Sequence, residues 1–342
     1  MLPVAVGARR SYRNPSHRHI WWPCIHINYR SRGSSVKHFE DVAVIIPCYN
    51  EEITIAKVVS DAKKYLPGAE IFVYDNNSSD DTSTVAAKAG ANVRKELRQG
   101  KGYAIRRAFT DIDAEIFLMV DGDDTYDLSK ASEAIKQFKD DHLDFLNVRR
   151  IASGSDAYRR GHVLGNMVLT GAIGLIFGKQ LHDMLSGYKI LSRRFVKSFP
   201  ISSSGFEIET ELLVHGLELG IPATEISAPY KERPTGSISK LSTYKDGFRI
   251  LLTIIRLVQI ERPLLFFTIL SSMFFLSCLL VGIPVVSEYF DTGLVQRLPS
   301  AVLAGFLGLI SVILVGVGLT LDLVQRTRSD QKKLAFLAIP KQ

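Results

Sequence analysis

Two long uncharged runs near the C-terminus constrain the fold of this chain more than any other feature of its sequence. Residues 263–287 and 298–321 contain no Asp, Glu, Lys or Arg. Each run is longer than the roughly 20 apolar residues that a helix needs to cross a bilayer. A helical hairpin buried in a soluble core is the alternative, and runs of this length disfavour it. We therefore predict two transmembrane helices, over 263–287 and 298–321.

The charged residues around these runs orient the predicted hairpin. The tail over 322–342 carries five basic residues, namely Arg326, Arg328, Lys332, Lys333 and Lys341. Because basic segments stay on the cytoplasmic side of a membrane, the tail and everything before Pro263 are placed in the cytoplasm. We expect an integral protein of the plasma (inner) membrane, embedded in the lipid bilayer, with a cytoplasmic catalytic domain.

The net positive charge of the chain is concentrated at its N-terminus. The formal net charge is +7, and residues 1–39 hold seven Lys or Arg and no acidic residue, which leaves 35 basic and 35 acidic residues elsewhere. A neutral body argues against nucleic-acid binding, which requires a basic face. We interpret residues 1–39 as a basic, disordered extension without a catalytic role. Cys24, Cys48 and Cys278 are too scattered for a disulfide framework or a zinc site.

Short apolar runs of β type alternate with helical segments in the first half of the chain. The runs lie at 42–47, 70–75, 116–120 and 145–150. This alternation predicts an α/β fold with a mostly parallel, Rossmann-like sheet. Polar segments follow three of the runs, at 47–51, 75–80 and 121–123. Because the carboxyl ends of the strands lie side by side in a doubly wound sheet, we expect these segments to line one cleft.

The segment Asp121-Gly122-Asp123 carries the clearest chemistry of this cleft. Two carboxylates two residues apart project to the same side of an extended chain and repel each other unless a cation lies between them. Mg²⁺ and Mn²⁺ prefer oxygen ligands, and Mg²⁺ commonly joins one or two carboxylates to substrate phosphates. Gly122 permits a close approach of the backbone. The segment therefore predicts a diphosphate-bound metal, although an acidic surface turn is the alternative for this segment alone.

Four motifs, taken in order, resemble those of the family 2 glycosyltransferases of the GT-A fold. They are Pro47-x-Tyr49-Asn50-Glu51, Asp75-Asn76-x-Ser78-x-Asp80-x-Thr82, Gly100-Lys101-Gly102 and Asp121-x-Asp123. The resemblance covers residues 42–240. Two later features, Arg233-x-x-Gly236-Ser-x-Ser239-Lys240 and the pair of spans, look like those of dolichol-phosphate mannose synthase and of bacterial polyisoprenyl-phosphate glycosyltransferases with two C-terminal transmembrane helices.

The resemblance implies a role for each matching position. Asp121 and Asp123 hold the metal, and together with Arg233 and Lys240 they form the catalytic set. The implied donor-binding residues are Pro47, Tyr49, Asn50, Glu51, Asp75, Asn76, Lys101, Asp121, Gly122 and Asp123. The implied residues for the acceptor phosphate are Arg149, Arg150, Arg233, Ser239 and Lys240. Two positions depart from the pattern: Asn76 replaces a second aspartate found in many relatives, and Thr125 replaces a glutamine found in the mannose synthases.

The resemblance also implies the reaction and its partners. We expect an inverting transfer of a hexose from a nucleotide sugar, of the UDP-glucose or GDP-mannose type, to a polyisoprenyl (undecaprenyl or dolichyl) phosphate. The product is a lipid-phosphate-sugar donor for modification of cell-surface glycans, and Mg²⁺ or Mn²⁺ is the cofactor. A lipid phosphate is already an anion at neutral pH, so it needs no general base. Relatives also suggest a homo-oligomer formed through the membrane helices, and we expect no nucleic-acid partner.

The expected domain organisation follows from these segments. A GT-A domain occupies 40–240, a juxtamembrane amphipathic helix 241–262, and a basic cytoplasmic tail 322–342. Residues 163–178 form an apolar helix that lies either at the membrane surface or in the core. We interpret Glu207, Glu209 and Glu211 as solvated charges in the first turn of a helix, where the helix dipole favours them.

Three other functions remain as alternatives. A processive polysaccharide synthase of the same fold carries Gln-x-x-Arg-Trp, whereas Gln259-Ile-Glu-Arg262 is followed here by Pro263. A membrane-anchored, inactive nucleotide-sugar-binding protein is disfavoured because both Asp121 and Asp123 are present. A dehydrogenase is disfavoured because no Gly-x-Gly-x-x-Gly follows the first strand.

Overall fold

The computed structural model describes residues 39–152, 171, 183, 185–200, 205, 207–231, 252 and 255–341. The strands of this part of the chain are β1 (Val42–Cys48), β2 (Glu70–Asp75), β3 (Asn92–Lys95), β4 (Ile116–Met119), β5 (Phe145–Ala152), β6 (Lys189–Ser192) and β7 (Ala223–Tyr230). The helices of the catalytic domain are α1 (Ile55–Tyr65), α2 (Thr82–Lys88), α3 (Lys101–Asp111), α4 (Ala131–Asp140), α5 (Arg193–Ser198) and α6 (Ile208–Leu219), with a 3₁₀ turn at Leu128–Lys130. The C-terminal helices are α7 (Pro263–Thr292) and α8 (Leu298–Leu337).

The seven strands form one mixed sheet in the order β3-β2-β1-β4-β6-β5-β7. Strands β3, β2, β1 and β4 are parallel, β6 is antiparallel to both β4 and β5, and β7 is parallel to β5. The prediction of a mostly parallel α/β sheet is therefore confirmed. Strand β6 was not predicted, because it pairs with strands that are far from it in the sequence.

Helices cover both faces of this sheet, so its central strands are buried on both sides. All seven residues of β1 are buried, which explains why a central parallel strand reads as a continuous apolar run. Val44 and Ile46 point into one core, which the helices α1, α2 and α4 complete. Ile45 points into the other core, which α3, α5 and α6 complete. This arrangement leaves the carboxyl ends of the parallel strands to form a ligand edge.

Helices α7 and α8 form an antiparallel hairpin, and both are long and apolar enough to cross a membrane. Small residues bring their axes close together. A Cβ added to Gly318 would lie 2.9 Å from Phe267 Cβ, and Ser271 Oγ donates to Ser311 O at 2.9 Å. Helix α8 continues well beyond the predicted span, because the end of the apolar run at Leu321 does not end the helix.

Of the predicted juxtamembrane helix, residues 255–261 are helical and 241–251 lie outside the described residues. The extension over 1–38 also lies outside them. The same holds for residues 163–178 with the exception of Gly171.

Candidate active site

The three predicted polar segments meet at one edge of the sheet. Strands β2, β1 and β4 are direct neighbours and run parallel, so their carboxyl ends lie side by side. Pro47 and Cys48 at the end of β1 are in register with Tyr74 and Asp75 at the end of β2. The loop that begins at Asp121 follows β4 by two residues. The edge therefore has the position at which open α/β sheets bind their ligands.

Side chains join the loop after β1 to the loop after β2. Asn50 has a φ of 52°, a left-handed conformation that asparagine tolerates better than most residues. Its backbone N donates to Ser78 Oγ at 3.0 Å, and its Oδ1 accepts from Ser79 N at 2.8 Å. Glu51 N donates to Thr82 Oγ1 at 2.8 Å. Tyr49 in the same loop is partly exposed, so the loop is rigid while one of its side chains faces outward.

The loop after β2 is fixed by two buried side chains. Asp75 accepts from Ser78 N at 2.9 Å and from Ser83 Oγ at 2.5 Å. Asn76 Nδ2 donates to Arg98 O at 2.7 Å, and its Oδ1 accepts from Gly100 N at 2.5 Å. An ionised aspartate could accept but not donate. Asn76 thus departs from the family pattern because it braces both sides of the loop that presents Lys101.

The segment Asp121–Asp123 is packed tightly against its neighbours. A Cβ added to Gly122 would lie 2.5 Å from Cys48 Sγ, and Thr54 Oγ1 donates to Gly122 O at 2.7 Å. The Asp123 side chain is buried, and its Oδ1 accepts from Thr125 Oγ1 at 2.6 Å. Thr125 therefore orients Asp123, which is a supporting role that its hydroxyl can fill.

Gly187 closes the other side of Asp121. A Cβ at this position would lie 2.3 Å from Asp121 Oδ2 and 2.7 Å from Asp121 Cγ. Gly187 N donates to the hydroxyl of Tyr126 at 2.7 Å, which fixes the approach of the two segments. The sequence did not indicate this contact, since only the antiparallel pairing of β4 with β6 brings Gly187 to the edge.

A buried lysine joins two carboxylates at the centre of the site. Lys101 Nζ lies 2.5 Å from Asp121 Oδ1 and 2.5 Å from Glu209 Oε1. Burial alone would lower the pKa of Lys101, but the two carboxylates outweigh it, so the pKa is raised and the ammonium stays charged. Burial raises the pKa of Glu209, and Lys101 opposes that change.

The interpretation of Glu209 as a solvated charge is wrong, because Glu209 is only 6% exposed. Glu209 lies in the first turn of α6, as expected, but that end of the helix points into the site instead of into solvent. Its spacing from Glu207 and Glu211 gave no signal of this, because burial at a helix end is set by the packing of α6 on the sheet. Glu207 is exposed, as expected, and Glu211 is partly buried.

The donor set at this edge fits a divalent cation bound together with a diphosphate. Asp121 keeps a side-chain exposure of 25%, so it is accessible from the cleft, and Asp123 lies two residues further on. Within the described part of the chain, no group of three or more His, Cys, Asp or Glu could hold a metal. A cation held here would take its other ligands from phosphate and water, as Mg²⁺ commonly does. The three carboxylates of Asp121, Asp123 and Glu209 give the edge the negative charge that a cation requires.

The residues predicted to bind the acceptor phosphate lie in different surroundings. Arg149 is exposed within β5. Arg150 binds Asp183 through Nε at 2.7 Å and lies over the Tyr230 ring, with its Cζ 5.4 Å from the centroid. Arg233, Ser239 and Lys240 lie outside the described residues.

A second buried lysine lies beneath this side of the site. Lys189 Nζ donates to Asn147 Oδ1 at 2.7 Å, and burial lowers its pKa to about 8. Asn147 Nδ2 in turn donates to Asp183 O at 2.7 Å. This network fixes the backbone around Asp183, which holds Arg150.

The fold and the site together define an α/β protein with a cleft of charged residues at the carboxyl edge of its parallel strands. A family model described as Glycosyl transferase family 2 matches residues 43–199. Glycosyltransferase AglJ from Haloferax volcanii is 34% identical over 227 residues, which are 66% of this chain and 75% of that relative. The chain therefore belongs to glycosyltransferase family 2.

Two further proteins show how far the similarity extends. Dolichyl-phosphate hexose transferase from Haloferax volcanii is 28% identical over 227 residues, across 66% of this chain and 96% of that protein. The crystal structure of glucosyl-3-phosphoglycerate synthase from Mycobacterium tuberculosis, in complex with Mn²⁺ and UDP-glucose, superposes with a TM-score of 0.51 at 21% identity. The superposition covers 64% of this chain and 78% of the synthase chain. At this identity the likeness shows a shared GT-A-like fold.

Proposed function

We propose that this protein transfers a hexose, with inversion, from a nucleotide sugar to a polyisoprenyl phosphate at the cytoplasmic face of the plasma (inner) membrane. The observation that carries the proposal is the combination of a family 2 donor edge, at Asp121 and Asp123, with two C-terminal helices that are long enough to span a bilayer. The name of the Haloferax relative, a dolichyl-phosphate hexose transferase, supports the same acceptor class.

The residues of the edge suit the binding of a nucleotide diphosphate. In this proposal Pro47, Tyr49 and Glu51 line the base and ribose pocket, with Asp75 holding the base or ribose. Asn50 and Asn76 contribute through the loops that they stabilise. Lys101 and Gly122 face the diphosphate at the entrance to α3 and at the end of β4. The rigid hydrogen bonds between these loops keep the pocket preformed, which reduces the cost of ordering it when the donor binds.

Asp121 and Asp123 would hold Mg²⁺ or Mn²⁺ against the diphosphate. Such a cation, when bound, acts as a Lewis acid that neutralises charge developing on the leaving group. Lys101 remains protonated at neutral pH because its two carboxylate neighbours stabilise the ammonium. It therefore places a fixed positive charge beside the donor edge and limits the repulsion between Asp121 and Glu209.

The acceptor phosphate is already an anion and needs orientation more than deprotonation. Arg149 is exposed within β5, and its positive charge would attract this anion. Arg150 can contribute only together with Asp183, which holds its guanidinium. Arg233, Ser239 and Lys240 complete the proposed acceptor set through the family pattern.

One observation favours a second candidate function, in which the acceptor is a hydroxyl. Glu209 is a buried carboxylate beside Asp121, and a hydroxyl acceptor needs a general base of this kind. The contact with Lys101 at 2.5 Å disfavours this role, because an ammonium stabilises the carboxylate and makes it a weaker base.

Incubation of membranes containing the full-length protein with labelled nucleotide sugars tests both candidates. UDP-glucose and GDP-mannose are each supplied with undecaprenyl phosphate or with undecaprenol. We expect label to enter the lipid only with the phosphate acceptor and with Mg²⁺ or Mn²⁺ present, and EDTA to abolish transfer. Labelling of undecaprenol instead would favour the hydroxyl acceptor, and no labelling of either lipid would reject the proposed acceptor class.

A further inference from the structure

Helix α8 is much longer than a bilayer requires. It runs unbroken from Leu298 to Leu337, which at 1.5 Å per residue is about 60 Å, whereas the hydrocarbon core of a bilayer is about 30 Å thick. Its uncharged part ends at Leu321. The remainder, from Asp322 to Leu337, therefore continues out of the predicted span as a straight extension of the same helix.

This extension is docked against the catalytic domain. Phe336 is 6% exposed and belongs to the core on the α3, α5 and α6 face of the sheet. The guanidinium carbon of Arg194 on α5 lies 4.4 Å from the centre of the Phe336 ring, and Arg194 is itself held by the buried Asp144. After the helix ends, Lys341 Nζ donates to His142 O at 2.8 Å.

Four polar side chains join three chain segments where the extension leaves the hairpin. We call Glu218, Glu261, Gln325 and Lys332 the stem cluster. Lys332 Nζ on α8 lies 2.5 Å from Glu218 Oε2 on α6. Gln325 Nε2 donates to Glu218 Oε1 at 3.0 Å and to Glu261 Oε2 at 2.8 Å. Glu261 lies two residues before the start of α7, so both ends of the hairpin meet α6 in one cluster.

Helix α6 connects the stem cluster to the active site. Glu218 lies in its last turn and Glu209 in its first turn, which separates them by about 14 Å along the axis. Most of the helix between them is buried, so it can transmit position as a rigid element. Helix α6 therefore fixes the distance between the stem cluster and the donor edge, so a displacement of α8 away from Glu218 changes where the hairpin lies relative to an otherwise unchanged site.

We propose that the stem cluster is a positioning device that fixes the donor edge relative to the membrane hairpin. Glu218, Gln325 and Lys332 are its positioning residues, and they contact neither donor nor acceptor. Its purpose rests on the proposed function, because a phosphate anchored in a bilayer reaches the donor only if the catalytic domain is held over it. A soluble acceptor diffuses to the site and does not depend on this geometry.

The energetics favour this role over that of a simple anchor. The side chain of Glu218 is only 4% exposed and that of Lys332 is 13% exposed, so the pair is mostly shielded from solvent. Loss of one partner of a buried ion pair is strongly destabilising, since it leaves an uncompensated charge. Without Lys332, the charge of Glu218 would have no cationic partner in the stem cluster, which would weaken the contact between the hairpin and α6. The sheet and both cores of the catalytic domain do not include these residues.

A variant at Lys332 tests the proposal in the full-length protein in lipid nanodiscs. Transfer is measured to undecaprenyl phosphate in the disc and to geranyl phosphate, a short acceptor that is supplied from solution. We expect Lys332→Met to lower kcat/KM about tenfold for the embedded acceptor, because misplacement by a fraction of an ångström to 1 Å has effects of this order. We expect kcat/KM for the soluble acceptor to change by less than about twofold, because this acceptor does not depend on how the catalytic domain is held over the membrane.

Two further variants serve as controls. Lys333→Met removes the neighbouring charge, which is exposed and whose Nζ lies 3.7 Å from Asp330, and it should behave like the wild type. Lys332→Arg keeps the charge and should restore most of the embedded transfer. Equal loss with both acceptors would show a merely structural role and overturn the proposal. Wild-type rates with both acceptors would also overturn it.

Hydrogen exchange tests the stem cluster independently of the proposed acceptor class. In Lys332→Met, but not in Lys333→Met, amides of the α8 extension should exchange faster, because an undocked helix end frays. Unchanged exchange would overturn the stem cluster as a junction, whatever the activity. If the wild-type protein transferred to neither phosphate while the exchange result held, the acceptor class would fail and the junction would stand without its proposed purpose.

Discussion

Helix α6 carries a buried lysine–glutamate pair at each end, and the two pairs are surrounded very differently. At its first turn, Glu209 pairs with Lys101, which also holds the partly exposed Asp121. At its last turn, Glu218 pairs with Lys332, and Gln325 and Glu261 enclose the pair. The first pair therefore lies at an accessible edge with excess carboxylates, and the second is mostly enclosed by protein side chains.

This difference separates a reactive site from a structural junction that uses the same residue types. Excess carboxylates at an accessible edge can be neutralised by a cation that also binds a diphosphate, so their charge is available for chemistry. The carboxyl groups of the stem cluster are satisfied within the protein, so they contribute to position. A buried Lys–Glu pair alone does not indicate a site, and what decides is whether its surroundings remain open to a ligand.

The largest effect should come from removing one of the two carboxylates proposed to bind metal, at the Lys101 end of α6. Asp123→Asn keeps the acceptor for the Thr125 hydroxyl, so we expect the fold to persist. Transfer should fall by about a thousandfold, because the Lewis acid supplies several kcal/mol of charge stabilisation. Asp124→Asn is the matched control, since asparagine tolerates its φ of 56° and the change removes only the contact with Lys57. Initial rates of lipid labelling and thermal melting of both variants measure the outcome, and an active Asp123→Asn would refute the metal assignment.

A second effect should follow from crowding Asp121 without changing its charge. Gly187→Ala places a Cβ 2.3 Å from the present position of Asp121 Oδ2. The carboxylate must shift, and a shift of about 1 Å can cost about a hundredfold in rate. Gly216→Ala in α6 is the control, because its Cβ would lie 3.6 Å from Phe195 in ordinary contact. The control should keep its rate and gain up to about 1 kcal/mol of stability. Equal rates in the two variants would contradict the assignment of Asp121.

Docking of α8 at the stem cluster should depend on pH, whereas activity at the Lys101 end of α6 should depend on a metal. Burial, followed by the neighbouring Glu218, raises the pKa of Glu261 to about 8, while Lys332 and Arg328 oppose this. The docked state therefore holds a proton that the undocked state loses near its ordinary pKa. Docking is strongest below that ordinary value and weakens as pH rises toward 8.

Hydrogen exchange of the α8 extension at pH 6 and pH 8.5, corrected for the intrinsic rate, measures this change. We expect protection to fall severalfold, below the linkage limit of about tenfold per pH unit for one proton. Glu261→Gln should flatten the dependence, and EDTA should leave it unaltered. A pH dependence that persists in Glu261→Gln would assign the proton to another group.

The smallest effect is expected at the aromatic contact of the junction. Phe336→Leu keeps an apolar side chain in the core but removes the ring beneath Arg194. The cation–π contact contributes about 0.5–2 kcal/mol, so transfer to the embedded acceptor should fall only slightly. Comparison with Lys332→Met in the same nanodisc assay checks the order, and a larger loss in Phe336→Leu would move the main anchor from the stem cluster to the core.

Local patterns predicted the individual elements of the sheet well, with clear limits. Strands β1, β2 and β4 were evident because central parallel strands are apolar throughout, and the polar segments that follow them marked the ligand edge. Strand β6 escaped prediction because its residues pair antiparallel with β4 and β5 across a long separation. The contact of Gly187 with Asp121 was missed for the same reason, because it exists only through that pairing.

The sequence by itself determined the family motifs, the α/β alternation and the two membrane-length helices, since each depends on residues close together in the chain. Only the tertiary structure decided which charges are buried. Lys101, Asp121 and Glu209 come from three separate elements, as do Glu218, Glu261 and Lys332. The physical reason is that desolvation and ion pairing depend on distance in space, which local periodicity does not encode.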